Sequence, residues 1–147
     1  MKRSYPDRPI AAVGAIVVKD GHVLLIRRGK APSYGIWSVP GGAVHLGESL
    51  RDAVRREIRE ECGIEIDLTD VLEAVDRITR DAEGRTQYHY VVIDYLARWE
   101  SGEVASASDS LEARWVAPAD LSQYQMTSGT ADVIRKMLAA GKREGVL

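Results

Sequence analysis

The sequence predicts an α+β fold, an α/β/α sandwich with a mixed β-sheet between helices. Three observations predict it. Apolar, β-branched runs separated by turn signals lie on both sides of one charged central helix. That helix, over residues 50–62, carries an apolar stripe at helical spacing. A second amphipathic stretch runs to about residue 140, with Val133, Ile134, Met137 and Leu138 facing inward. Strands around one helix and a second helix at the end suit two helical layers over one sheet.

With 147 residues the chain reads as one domain, 1–147, large enough for a full core. An apolar content of 45% and a charged content of 29% are ordinary for a soluble globule. A net charge of −2 gives no reason to expect nucleic-acid binding. No run approaches the ~18 apolar residues of a membrane helix, and no signal peptide is visible. The expected location is cytoplasmic, with neither membrane nor nucleic acid as partner. Cys62 is the single cysteine, which excludes a disulfide framework and a cysteine metal site. It reads as a small buried residue.

In chain order, residues 1–9, with Tyr5, Pro6 and Pro9, read as an extended, partly ordered arm. Residues 11–18 form a strand, Asp20-Gly21 a hairpin turn and residues 23–26 the returning strand. Arg27 and Arg28 then point to opposite faces, so at most one readily reaches a phosphate in a common pocket. Residues 29–35 are a loop, residues 36–39 a short strand, and Pro40-Gly41-Gly42 a turn whose glycines let the backbone approach a metal or phosphate. Tyr34 and Trp37 are candidates to stack a base, with a core position the alternative for Trp37. Residues 71–79 and 86–96 form a hairpin around residues 81–84. Tyr88, Tyr90, Val92, Asp94 and Leu96 share one side of its second strand, and His89 lies on the other as a packed residue. His22 and His45 have no histidine or cysteine partner at ligand spacing. Residues 100–110 are polar and expected to be mobile. Residues 111–116 form the last strand, residues 118–121 a short helical turn, and Ser128 or Thr130 caps the final helix.

The central helix carries the chemistry. Ser49 and Asp52 fit a capping box, and Gly63 fits the left-handed closing position. At ~100° per residue, Leu50, Ala53, Val54 and Ile58 face inward, whereas Arg51, Asp52, Arg55 and Arg59 face water. Glu57, Glu60 and Glu61 fall within an arc of ~100° that overlaps the apolar side. Three carboxylates this close repel one another, and they sit where the helix dipole disfavours negative charge. A hard divalent cation removes both objections, and oxygen ligands suit Mg2+ or Mn2+.

This stretch resembles the signature of the Nudix hydrolases, G-x(5)-E-x(7)-R-E-U-x-E-E-x-G-U, with U a bulky apolar residue. Gly42, Glu48, Arg56, Glu57, Ile58, Glu60, Glu61, Gly63 and Ile64 satisfy every position. At ~5% usage per residue type, the seven invariant positions match by chance about once in a billion windows. The resemblance implies a Nudix fold with Glu57 and Glu61 as principal metal ligands and Glu60 as a further ligand or water-shell group. It implies the Gly41 backbone carbonyl as another ligand. Glu48 and Arg56 then orient the carboxylates. It favours a substrate role for an arginine at 27–28, assigned here to Arg27. It also suggests a general base outside the signature, for which Glu112 is the candidate, with Asp109 beside it and a signature glutamate as the alternative.

The segments RPIAAVGAIVVKDGHVLLIRRG, WSVPGG and HYHYVVIDYLA look most like the small ADP-ribose pyrophosphatase-type members. The reaction implied is hydrolysis of the pyrophosphate bond in nucleoside diphosphate-X compounds, ADP-ribose or a similar nucleotide sugar first. The sequence departs from the larger ADP-ribose hydrolases at Arg80, where they carry a proline. That departure keeps nucleoside triphosphate pyrophosphohydrolysis open, including oxidised-nucleotide sanitation. A non-catalytic nucleotide-sensing module is the alternative of another class. The partner implied is a small nucleotide, and homodimerisation is left open.

Overall fold

The computed structural model describes residues 2–145. Alternating β-branched residues build a mixed seven-stranded sheet. β1 (Ile10–Lys19) and β2 (His22–Arg28) form the expected hairpin, turned at Asp20 and Gly21. They pair only beside the turn, at Val18 with Val23 and Lys19 with His22, and then diverge. β3 (Trp37–Ser38) enters the gap along the end of β2, and β4 (Gly41–Ala43) along the start of β1. Residues 36–42, expected as one strand and a turn, are therefore two short strands. Pro40 has no N–H to extend a ladder, and its carbonyl accepts from Ala15 N at 3.1 Å.

β5 (Glu65–Arg80) and β6 (Thr86–Ser101) form a hairpin of two 16-residue strands, longer than expected at both base ends. The extra length has an apolar cause. Ile64, Ile66 and Leu68 are buried beneath the central helix, so pairing starts immediately after Gly63. Asp81 accepts the Glu83 and Arg85 N–H groups and holds the hairpin tip. β6 also runs parallel to β1 from Ile10–Tyr90 to Val18–Arg98, which makes the sheet mixed. β7 (Ser110–Val116) pairs with β2, and a 3-10 helix (Pro118–Gln123) leads towards the last helix.

α1 (Leu50–Cys62) lies on one face of the sheet and α2 (Thr130–Arg143) is associated with the other. Ala53, Val54, Ile58 and Cys62 pack on Val13, Ala15, Val17, Leu24, Ile26, Tyr95 and Ala97. Ile134 and Met137 pack on Ile16, Val23, Leu25, Leu96 and Val116. Ile58 is fully enclosed, and truncating such a residue to alanine costs about 2–5 kcal/mol. Leu50, expected to face inward, is exposed because it opens the helix beyond the edge of the sheet contact. Cys62 is buried as expected, and burial pushes its thiol up to about 12, with the Glu61 charge adding.

Three end effects differ from expectation. The cap of α2 is Gly129 in the left-handed region, not Ser128 or Thr130. Thr130 is the first helical residue, and its hydroxyl is engaged with that of Thr127. The polar segment after β6 is tethered. Ala105 N donates to Cys62 O, and Ala107 N and Ser110 Oγ donate to Glu61 O, so the segment satisfies carbonyls that the end of α1 leaves unpaired. The N-terminal arm is fastened to the β5–β6 hairpin: Tyr5 Oη donates to Asp81 at 2.8 Å, and Tyr5 N to Gln87 O at 2.7 Å. Among the described residues no helix is long and apolar enough to cross a membrane.

Candidate active site

Local chemistry sets the direction of α1. Ser49 Oγ accepts from Asp52 N at 3.1 Å, and Gly63, at φ 72°, donates to Arg59 O at 3.0 Å. With both ends held, side-chain angles decide where each acid goes. Glu61 is only 4% exposed. Glu57 lies beside Gly42, where a Cβ would stand 2.5 Å from the Glu57 carboxyl carbon. Gly41 is packed as closely: a Cβ there would meet Val13 O at 2.1 Å. The glycine pair therefore lets a strand lie directly against the acidic end of the helix.

Arg56 holds this end in register. Its Nε donates to Glu48 Oε2 at 2.7 Å and one terminal nitrogen to Glu48 Oε1 at 2.9 Å. That nitrogen also donates to Ala43 O at 3.0 Å, and the other donates to Glu57 Oε1 at 2.8 Å and to Glu60 Oε2 at 3.2 Å. The bidentate pair pulls the Glu48 carboxyl down to about 2, helped by the His45 N–H. Glu48 and Arg56 thus lock each other, and Arg56 in turn holds Glu57 and Glu60.

Glu60 does not join the other two glutamates. Its side chain is 47% exposed and held by Arg56. The reason is angular: Glu60 falls ~40° from Arg56, whereas Glu61 falls ~40° beyond Glu57 towards the core. Among the described residues no group of three or more Asp, Glu, His or Cys side chains has metal-holding geometry. Glu57 and Glu61 lie together, while Glu60 turns out to Arg56, in the outer position of a water-shell group rather than beside the pair. The pair fits a divalent cation on one structural ground in particular. Glu61 Oε2 is buried with no hydrogen-bond partner, an expensive state for a carboxylate oxygen. Burial, then the charge of Glu57, then a hydrogen bond between the two carboxyls raise the Glu61 carboxyl to about 8; Lys30 and the Gly41 N–H act in the opposite direction. Mg2+ takes one or two carboxylates and completes its shell with waters and substrate phosphates, which matches this donor set.

Beside the pair a cavity of about 340 Å³ occupies the gap where β1 and β2 part. Gly41, Gly42, Arg28, Lys30, Tyr90 and Asp94 are among the residues that line it. Arg28, not Arg27, reaches it. Leu24, Ile26 and Arg28 alternate towards the face of α1, whereas Tyr88, Tyr90 and Asp94 share the α2 side of β6 with Leu96, so the cavity spans the gap between the two faces and Arg28 enters it from the α1 side. Arg28 Nε donates to Pro32 O at 2.7 Å; burial lowers its pKa, and the nearby Glu61 charge opposes that. Arg27 donates to Gly35 O at 3.0 Å and lies 3.8 Å from Glu112.

The candidate base Glu112 is opposite Arg27 in the β2–β7 ladder, and Arg27 and Arg114 hold its carboxylate. Nothing brings it to Glu57 or Glu61. Asp109 is paired at 2.8 Å with Lys30, which lines the cavity, and that pairing holds its carboxyl below the usual range. The two proposed stacking residues are also elsewhere. Tyr34 is 64% exposed. Trp37 meets Tyr124 edge-on at 5.1 Å and packs in the core beneath α2. The aromatic residues at the cavity are Tyr88 and Tyr90. Sequence reasoning also left Lys30, Arg77 and Asp94 unassigned. For Asp94 a signal existed: one acid in the apolar run YVVIDYLA, on the same side of the strand as the two tyrosines.

Residues 8–137 match the family model of the NUDIX domain. The chain belongs to the Nudix hydrolase family. Among curated Nudix-related proteins, it is 35% identical over 107 residues to the ADP-ribose pyrophosphatase of Methanocaldococcus jannaschii, covering 73% of this chain and 61% of that protein. It is 31% identical over 134 residues to the CTP pyrophosphohydrolase of Escherichia coli, covering 88% and 92%. The crystal structure of a MutT NUDIX hydrolase from Burkholderia pseudomallei superposes with a TM-score of 0.77 at 37% identity, covering 88% of this Nudix chain and 98% of that one. The α/β/α arrangement expected from the sequence is the arrangement of this family.

Proposed function

We propose that this Nudix chain hydrolyses the pyrophosphate bond of a nucleoside diphosphate joined to a second group, ADP-ribose or a similar nucleotide sugar first, releasing a nucleoside monophosphate and phosphorylated X. The observation that carries the reading is the unpartnered Oε2 of buried Glu61, paired with Glu57 behind Gly41 and Gly42, two residues that line a cavity together with Arg28 and Lys30. An acidic pair on one side of the two glycines and two cationic side chains in the cavity on the other suit a cation and a polyphosphate together.

Glu57, Glu61 and the Gly41 backbone would hold Mg2+ or Mn2+, with Glu60 in its water shell. Once bound, such an ion neutralises phosphate charge and lowers the pKa of its water. The chain does the rest. Glu61, raised to about 8 by burial and by the charge of Glu57, would have to give up its proton for the site to hold an ion. Arg56, fastened by Glu48 and Ala43 O, keeps Glu57 Oε1 from swinging outward. Arg28 and Lys30 supply the cationic side of the cleft for the diphosphate. With Glu112 held by two arginines, the proton from the attacking water passes to an α1 glutamate. Tyr88 and Tyr90 offer flat surfaces for a nucleoside.

A second reading is pyrophosphohydrolysis of nucleoside triphosphates. It is favoured by the CTP pyrophosphohydrolase relative, which this chain matches over 92% of that protein's length. A substrate panel with Mg2+ and Mn2+ in heavy-oxygen water tests both. Labelled nucleoside monophosphate from ADP-ribose supports the first reading, pyrophosphate release from triphosphates the second, and no metal-dependent turnover sinks both.

A further inference from the structure

Asp94 is 3% exposed and lines the cavity. Among the described residues its carboxylate has no hydrogen bond and no ion pair. Arg77 acts on it electrostatically without pairing, and Glu73, its cross-strand neighbour, is taken by Lys136 at 2.7 Å. Unlike Glu61 Oε2, neither Asp94 oxygen is sealed off among the described residues, so a ligand in the cleft can reach a carboxylate that nothing else engages.

Position tells which part of a nucleotide it meets. Gly41, Gly14 and Asp94 stand in register on the adjacent strands β4, β1 and β6. Strands are about 4.8 Å apart, so Asp94 is two strand spacings from the glycine beside the metal pair. Its side chain leans back over Gly14: a Cβ on Gly14 would be 2.4 Å from Asp94 Oδ1 and 3.4 Å from Pro40 O. The carboxylate therefore lies about one strand spacing, roughly 5 Å, from Gly41. Asp94 faces the α2 side with Leu96, whereas Glu57 and Glu61 belong to α1, so what meets Asp94 lies across Gly41 from the metal pair: the sugar next to the diphosphate, since a base is one ribose ring further out. An ionised carboxylate only accepts hydrogen bonds; burial raises this one to about 6, still below neutral pH. Two adjacent O–H donors on one sugar, a cis-diol, match its two oxygens.

We propose that Asp94, in the space left by Gly14, accepts the 2′- and 3′-hydroxyls of the substrate's ribose and makes the enzyme select ribonucleotides over 2′-deoxyribonucleotides. This rests on the pyrophosphohydrolase reading of the same site and adds to it a sugar specificity. It also assigns a role to Gly14. Alanine there drives a methyl group into the carboxylate while leaving the charge in place.

The experiment compares kcat/KM of the metal-loaded enzyme on matched pairs: ADP-ribose against its 2′-deoxyadenosine analogue, and CTP against dCTP. For the wild type a preference of about 10- to 100-fold for the ribose member is expected, as for loss of a hydrogen bond to a charged group. In Asp94→Asn and in Gly14→Ala the ratio should fall to within about threefold, mainly through KM. Calorimetric affinity for α,β-methylene ADP against its 2′-deoxy counterpart reads the same ratio without turnover, so a failure of the catalytic reading and a failure of this one are separable. Thermal unfolding identifies a variant that does not fold, in which case the other variant decides. Equal use of both sugars by the wild type, an unchanged ratio in a folded variant, or a preference that follows the base instead of the sugar would overturn the proposal.

Discussion

Replacing Glu61 by glutamine separates the two consequences of burying an acid beside another acid. In the folded chain the Glu61 carboxyl is raised from 4.5 to about 8, first by burial and then by Glu57. At about 1.4 kcal/mol per unit, the ceiling on the associated free energy is roughly 5 kcal/mol. Relaxation of the site reduces what is measured to about 1–3 kcal/mol, the usual cost of an unsatisfied buried group. The sign follows from linkage. A group whose folded pKa is raised contributes fully below its unfolded pKa, and that contribution is lost as pH climbs through the folded value. Metal-free wild type should therefore lose stability between pH 4.5 and about 8. Asp94, raised to about 6, contributes to the lower part of that window, so the interval from about pH 6.5 to 8.5 reports on Glu61. Urea unfolding in EDTA across this interval is the assay. Glu61→Gln should be flatter with pH than wild type and more stable than it at pH 8.5, while losing Mg2+-dependent stabilisation and activity. A variant less stable than wild type at pH 8.5 without metal, or a stability difference that does not grow with pH, would refute the reasoning.

Other perturbations address the supports of the site. Gly42→Ala puts a Cβ 2.5 Å from the Glu57 carboxyl, so kcat should fall at least ~10–100-fold, as for displaced metal-site partners, with the circular dichroism spectrum retained. Arg28→Ala should raise KM about tenfold or more, as removal of a charge-assisted contact does, whereas Arg27→Ala, outside the cavity lining, should change steady-state kinetics less than threefold. Glu48→Gln breaks the bidentate hold on Arg56; calorimetry should show Mg2+ affinity reduced about 10–100-fold.

Much of this protein is determined along the chain. The α1 helix, its Ser49 and Gly63 ends and its acidic inner side follow from local spacing, because a helix repeats every few residues and positions its side chains by angle alone. The turn at Asp20-Gly21 and the β5–β6 hairpin follow from turn chemistry in the same way. The glutamate pair was legible for this reason, although what holds the third acid was not. The helix angle sets Glu60 beside Arg56, but that Arg56 stays on the α1 surface to hold it depends on Glu48 and Ala43 O, which come from outside the helix.

What only the tertiary structure decided is everything that depends on where strands diverge. Alternation says that Arg27 and Arg28 oppose each other, but not which of them reaches the cleft. The parting of β1 from β2 beyond Val18 and Val23, and the entry of β3 and β4 between them, settled that in favour of Arg28. The same parting withdrew Tyr34 and Trp37 from the cleft and brought in Tyr90 and Asp94, residues far from the signature in sequence. Strand pairing between distant segments carries no local period, so its register is invisible until the sheet is assembled. In this chain the paired acids proposed to hold a metal lie on one continuous helix, and the residues that line the cavity beside them come from strands and loops joined only by the fold.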